Sequence, residues 1–409
     1  MNVINESLST PIIGEYDMII TGGGPSGCGV ALSAAREGLK VLLIEKSSAL
    51  GGMWANGFMN PLFDYENKDG IMHEIVCELQ SRNQWGGFWD KSFHNEYMKL
   101  ILDEKMNQAG VTVLYNSLFS RAIVSEGSVR AIIVENIDGR NAYTATYYVD
   151  CTGDGNLAAS CGCKYDIGVD NDIKQCQGMT LMFLVGNIPP KYQKGLMIGD
   201  ILDECYRKEK KEAPFHMPYL IPTPNATFGV VQFTHMYDYN PLSQTDVDHA
   251  IIEGRRQMIE AMELLKKHSE DFKDLELICS APALGIRESR RIICDYTLSL
   301  DDVTLGSQFD DAICTVTFGI DIHTKSGKTQ DCRKVQAYHI PFRSCIPVDF
   351  DNLIVAGRCI SGTHEAMASY RVTGNCCKMG DSIGKIVAYA TKHNVPIRNV
   401  DVKRILNHK

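Results

Sequence analysis

The chain has no CxxC pair, no long apolar run, no extended basic stretch and no second strand–GxGxxG–helix unit, and each absence removes a class of protein. Of its fifteen cysteines only Cys161 with Cys163 and the adjacent Cys376 and Cys377 are close in sequence, so neither an iron–sulfur cluster nor a disulfide-exchange centre has the spacing it needs. Eleven histidines are scattered without zinc spacing, and no metal is expected. The first fifteen residues lack the basic start and apolar core of a secretion signal, which makes free thiols in a reducing compartment the expected state. No segment approaches the roughly twenty apolar residues that cross a bilayer, so a soluble, cytoplasmic protein with no membrane partner is expected. The net charge is −9 with a pI near 5.7, and the nearest thing to a basic run is the mixed stretch Lys208 to Glu212; nucleic acid is not an expected partner.

What the chain does have begins at Tyr16. A short apolar strand, Met18 to Thr21, runs into Gly22, Gly24 and Gly27, with Pro25 and Ser26 opening a helix. The first two glycines allow a tight turn and close backbone approach, and the third allows helix and strand to pack closely. Free N–H groups and the positive dipole end of such a helix suit a pyrophosphate, so the loop needs no charged side chain to hold one. A second strand, Val41 to Ile44, ends in Glu45, whose carboxylate can take both hydroxyls of an adenosine ribose and disfavours a 2′-phosphate. Together these predict a dinucleotide site.

At 409 residues two domains are expected. After Glu45 and Lys46 comes a Gly-rich loop containing Gly52 and Met53, placed to run over a bound dinucleotide. Helical periodicity spans Asn95 to Ala109, and short β-rich runs separated by turn signals from Val111 to Asp150 predict a three-stranded meander. The meander exits into Cys151, Thr152, Gly153 and Asp154, a small-residue turn suited to close passage beside a ligand. A simple NAD dehydrogenase would continue with repeating βαβ units instead. Further on, strand-like runs at Met179 to Val185 and Phe228 to Thr234 precede a helix over Thr245 to His268, and the final part returns to strand then helix. The expected fold is α/β: a Rossmann-like, three-layer nucleotide-binding domain with a β-meander (1–165 and 337–409) and a smaller α+β substrate domain or cap (166–336).

Two later segments, Leu284 to Arg291 (LGIRESRR) and Asn352 to Val372 (NLIVAGRCIS to YRV), accompany the glycine motif in the order found in one family. With them the chain, over about Asp17 to Ala390, resembles the FAD-dependent oxidoreductases of the glutathione-reductase-like flavoprotein superfamily. The resemblance implies FAD as cofactor, its ADP half held by the glycine loop and Glu45, with Thr152 and Gly153 packed against it. It implies further contacts from Gly357 and Arg358, where family members often carry an acidic residue, and from the turn through Arg371 and Val372 into the last helix. Backbone N–H groups there would stabilise negative charge on a reduced flavin.

The resemblance also implies an oxidoreductase moving a hydride between a small polar metabolite, at a CH–OH or CH–NH group, and flavin N5. His323, on an alternating strand-like run, is the first candidate for the accompanying base; the alternative is a structural histidine paired with Asp321. His364 is the second, against a plain loop histidine. Arg287 and Arg371 are candidates to orient a substrate, whereas Arg290 and Arg291 read better as an interdomain ion-pair network. A C=C reductase, a monooxygenase or halogenase, and a non-catalytic FAD-binding electron-transfer partner are the other readings. A separate electron acceptor and a homo-oligomer are both left open.

Overall fold

The computed structural model describes residues 3–407. Strand β1 (Ile12–Thr21) lies at the centre of a seven-stranded sheet and pairs in parallel with β2 (Val41–Ile44), which pairs in parallel with β3 (Thr112–Leu114) at that edge. On the other side β1 pairs in parallel with β6 (Gly139–Asp150), the last strand of a meander formed with β4 (Leu118–Ser125) and β5 (Ser128–Asn136). The meander has the three strands expected but begins at Leu118 and not at Val111, because Thr112–Leu114 joins the parallel edge. Strand β6 is long enough to change partners: its first half pairs with β5, and Tyr148 to Asp150 pair with Leu353 to Val355 from the far end of the chain. The two parts of the nucleotide-binding domain are joined at that register, directly before the Thr152–Asp154 turn.

Met18, Ile19 and Ile20 and all of β2 are buried, as in a parallel sheet covered on both faces. One cover is helix α1 (Pro25–Arg36), which packs against Thr373–His393, the final long helix. Their backbones approach so closely that a Cβ at Gly384 would lie 2.7 Å from the Val30 carbonyl oxygen, and Ser33 Oγ donates to Asp381 Oδ1 at 2.9 Å. This contact fixes where the final helix begins, and that start is one wall of the site described below.

The central layer is a five-stranded antiparallel sheet containing Phe183–Gly186, Tyr219–Pro222, Gly229–Gln232 and Glu276–Ser280, backed by the helix Gln244–His268. Phe183, Leu202, Phe233, Leu265 and Phe272 form its own core. Ile292, Val316, Ile320 and Tyr338 pack into the same large core as β1, β2 and α1. The strand pair Ala312–Val316 with Tyr338–Pro341 lies against the helix Thr373–His393, and the pair Ile320–Thr324 with Thr329–Arg333 reaches the central segment through His323. Among the described residues no helix is long and apolar enough to cross a membrane.

Candidate active site

Gly22 has φ +97, and a Cβ there would sit 2.5 Å from the Cys151 carbonyl oxygen, so β1 can turn only as glycine. A Cβ on Gly27 would overlap the Gly22 carbonyl oxygen, whereas one on Gly24 would meet nothing within 4 Å. The jammed glycines back onto protein, and the open one faces the space in front of α1. Gly24 is the N-cap of α1, with Pro25 in the first turn and no side chain capping the helix. That leaves free N–H groups beside a cradle that a Cβ at Gly24 would fill, which fits a pyrophosphate.

Glu45 is buried at this loop: one carboxylate oxygen accepts from Gly23 N at 2.7 Å and the other from Ser47 N at 2.8 Å and Ser47 Oγ at 2.7 Å. Its neighbour Lys46 is exposed. The loop that follows folds back on the glycine turn, with Gly51 N donating to Gly23 O at 2.7 Å and Gly52 against Gly24. Met53 reaches across to Gly285 of the central segment.

Asp150, wholly buried at the end of β6, holds the Thr152–Asp154 turn, accepting from Thr152 N at 2.9 Å, Thr152 Oγ1 at 2.7 Å and Ala158 N at 2.9 Å. Gly153 has φ +75 and lies against the Arg358 guanidinium. Arg358 follows Gly357 on the last core strand's exit and is engaged by protein: Nη2 pairs with Asp154 at 2.6 Å and Nη1 donates to Ser289 Oγ at 2.8 Å. Burial pushes the Asp154 carboxyl up, but Arg358 and Ser289 outweigh it and hold the group below its ordinary range. Any contact of the Arg358 guanidinium with a cofactor phosphate would therefore compete with Asp154 and Ser289. Val372 is the N-cap of the final helix, again with no side-chain cap.

Between Met53 and Val372 the structure assembles a polar cluster. Gln177 and Gly178 are its hub: Gln177 Oε1 accepts from Arg371 Nη2 at 3.2 Å and from His323 N at 3.1 Å, while Gly178 O accepts from Arg287 Nη1 at 2.7 Å. Arg287 also donates to Thr180 Oγ1 at 2.6 Å, and Arg371 to Asp321 O at 2.9 Å. Burial and the neighbouring Arg371 push the Arg287 guanidinium down to about 9. Both arginine candidates are thus brought together at one place.

His323 is set differently from the expectation of a base. It is buried in a stacked column with His235 and Phe215, and its hydrogen bonds form a directional chain. The Phe233 carbonyl can only accept, so His235 Nδ1 donates to it at 2.9 Å; neutral His235 then accepts at Nε2 from His323 Nδ1 at 2.8 Å. His323 Nε2 in turn accepts from the Gln330 amide at 2.9 Å. Both ring nitrogens are occupied. Burial and Arg287 push His323 down to about 3 against the pull of Asp321, far from the range in which a base exchanges protons efficiently near neutrality.

This column has a measurable consequence. His323 and His235 both have depressed folded-state values, so the unfolded chain binds more protons below about pH 6.5 and stability falls as pH drops through that value toward 3. Urea denaturation is expected to show a loss of about 2 kcal/mol between pH 7 and 5 for each histidine held neutral, and a smaller loss in a His323→Leu variant. An unchanged pH slope in that variant would contradict the assignment.

His364 occupies a different setting at the start of the helix His364–Tyr370. Its Nδ1 lies 2.9 Å from Glu288 Oε1, and Nε2 has no hydrogen-bond partner among the described residues. Glu288 is buried; it pairs also with Arg291 and accepts from Gln177 N at 3.1 Å. Arg291 continues to Gly362 O at 2.9 Å and Gly168 O at 2.8 Å, while Arg290 reaches Asp154 O at 3.0 Å. Arg290 and Arg291 therefore bind the central segment to the nucleotide-binding domain. Gln177, His235 and the coordinating position of Glu288 have no sequence signal of their own: a lone Gln beside a Gly predicts nothing without the fold.

Comparison with known proteins agrees with this arrangement at the level of fold and family. The chain superposes on a geranylgeranyl bacteriochlorophyll reductase-like protein from Thermoplasma acidophilum with a TM-score of 0.53 at 14% identity, covering 96% of this chain and 82% of that one. It superposes on a triple mutant of a flavin-dependent brominase with a TM-score of 0.57 at 13% identity, covering 96% and 83%. In sequence it is 28% identical over 167 residues to the thiamine thiazole synthase of Methanococcus aeolicus, spanning 38% of this chain and 62% of that protein. It is 48% identical over 77 residues to the dihydrolipoyl dehydrogenase of Trypanosoma brucei brucei, 19% of this chain and 16% of that protein. The chain thus spans less than two thirds of these curated relatives. The glycine loop, the acidic end of β2 and the two uncapped helix starts suit FAD, and the model of the FAD dependent oxidoreductase family matches residues 17–408, nearly the whole chain: the protein belongs to that family.

Proposed function

We propose that this enzyme moves a hydride between a small polar metabolite, at a CH–OH or CH–NH group, and N5 of its flavin. The observation that carries the reading is the polar cluster between Met53 and Val372, where Arg287, Arg371 and Gln177 meet beside elements that in this reading border the cofactor. An apolar substrate would need an apolar lining there. The short stretch shared with dihydrolipoyl dehydrogenase also supports placement in the glutathione-reductase-like superfamily.

FAD, when bound, supplies the two-electron acceptor or donor. The protein's part is to hold and orient the substrate through Arg287 and Arg371 and to exchange its heteroatom proton. For that exchange His364 has the arrangement a base needs: a carboxylate orienting Nδ1 and a free Nε2. His323, bonded at both nitrogens, acts in this reading as a support for Gln177.

Anaerobic mixing of the FAD-loaded protein with a panel of alcohols, hydroxy acids and amines is expected to bleach the flavin band with one class. A His364→Ala variant is expected to slow that bleaching by about 10²- to 10⁴-fold. Bleaching by no such compound, together with oxidation of the reduced enzyme by an alkene, would replace the reading with that of a C=C reductase.

A further inference from the structure

Three donors in the polar cluster are buried and have no partner among the described residues: Arg371 Nε, Gln177 Nε2 and Tyr237 Oη. They flank one dipeptide. Gln177 bonds Arg371 through its other side-chain atom, and the Tyr237 ring lies against Gly178, where a Cβ would be 2.8 Å from its Cε1. Gly178 O holds Arg287. Gln177 is 4% exposed, so water does not compete freely for its amide. A buried donor left unpaired carries its desolvation penalty uncompensated, and three around one dipeptide mark a place built to receive an acceptor.

Charge points the same way. The cluster contains two guanidinium groups, Arg287 and Arg371, and one carboxylate free to offset them, Asp321, whose Oδ2 lies 3.6 Å from Arg371. The Glu288 carboxylate is engaged by Arg291 and His364. His235 and His323 are neutral in the directional chain derived above. One positive charge is left over, and the unpaired groups are donors.

From this we infer that the site takes a metabolite bearing one carboxylate, received by Arg371 Nε, Gln177 Nε2 and the Tyr237 hydroxyl with Arg287 as its counter-charge. The inference rests on the hydride-transfer reading only for calling that anion a substrate; the anion site stands on the geometry alone.

The probes are propionate and its uncharged isostere propionamide, titrated into the FAD-loaded protein and followed by the shift of the flavin absorption band and by calorimetry. Propionate is expected to bind at least tenfold more tightly than propionamide. Arg287→Gln and Tyr237→Phe are each expected to weaken propionate tenfold or more while FAD content and Tm stay at the parent values. Equal binding of the two probes, or propionate affinity unchanged in both variants, would overturn the site. So would a loss of FAD affinity in both variants with propionate binding intact, since the donors would then serve the cofactor. Should a variant fail to fold, Gln177→Leu provides the same comparison. Propionate binding with no bleaching by any hydroxy or amino acid would sink the hydride-transfer reading and leave the anion site. Bleaching by uncharged alcohols or amines, with propionate excluded, would do the reverse.

Discussion

Replacing Gly27 by alanine is expected to give a protein that is less stable and purifies without flavin. A methyl group there falls on the Gly22 carbonyl oxygen, within 3.3 Å of the Cys151 side chain, so α1 must be pushed off the sheet to admit it. Overpacking of this kind costs about 1–3 kcal/mol, and the displaced helix start carries the N–H groups that would face the pyrophosphate. FAD affinity is therefore expected to fall by about a hundredfold, the equivalent of ~2.7 kcal/mol. Gly24→Ala separates the two effects. No protein atom lies within 4 Å of a Cβ at Gly24, and its φ of −73 is open to any residue. The apo protein is expected to keep its Tm or gain about 0.5 kcal/mol from a stiffer unfolded chain, and yet to bind FAD at least tenfold more weakly because the methyl fills the cradle. Thermal melts of apo protein, paired with flavin titration by fluorescence quenching, read both quantities. Equal losses of Tm in the two variants would mean that the Gly24 side of the loop is packed against protein and is not the cofactor's face.

That contrast also explains how much of the molecule is legible in its sequence. The unit β1–α1–β2 reads directly because its chemistry is local: glycines that must turn or approach closely, Pro25 in the first helical turn and a carboxylate at a strand end all act within thirty residues. The helix Asn95–Ala109 is bounded as its periodicity predicts, closed by Gly110 in the left-handed conformation. Strand partners are less legible. Nothing in Thr112–Leu114 says that it pairs with β2 and not with the meander beside it, and Ile320 and Tyr338 alternate as well for one core as for the other.

The polar cluster was least legible of all, because its bonds join residues far apart in the chain. His323 meets His235 across 88 positions and Gln177 across 146. From the sequence, His323 shows a strand-like setting and an Asp two residues before it. What decides its chemistry is a second histidine and a backbone carbonyl that only the fold supplies. Arg287 and Arg371 were readable as candidates by type, but their shared hub was not.

The second large effect is expected at Glu288. Its side chain is fully buried, and both oxygens are used: one by Arg291 and His364 Nδ1, the other by Gln177 N. Removing it in Glu288→Ala leaves the Arg291 guanidinium, itself 6% exposed, without its carboxylate, though Gly362 O and Gly168 O remain. Breaking a buried pair from one side typically costs about 3–5 kcal/mol, much of it the uncompensated charge, so urea unfolding of this variant is expected to show a loss of that size. If the stranded charge is the cause, removing it as well must help: Glu288→Leu with Arg291→Met is expected to be more stable than Glu288→Ala despite carrying one more substitution. A double variant no better than the single one would locate the cost in the lost bond to Gln177 N, and so in the hub of the cluster. Glu288→Gln then isolates the functional share. It keeps the shape and an acceptor for His364 but removes the charge that would stabilise a protonated imidazole, so flavin bleaching is expected to slow in it by more than its change in Tm accounts for. Bleaching that survives Glu288→Gln at the parent rate would leave the Glu288–His364 pair with a structural role alone.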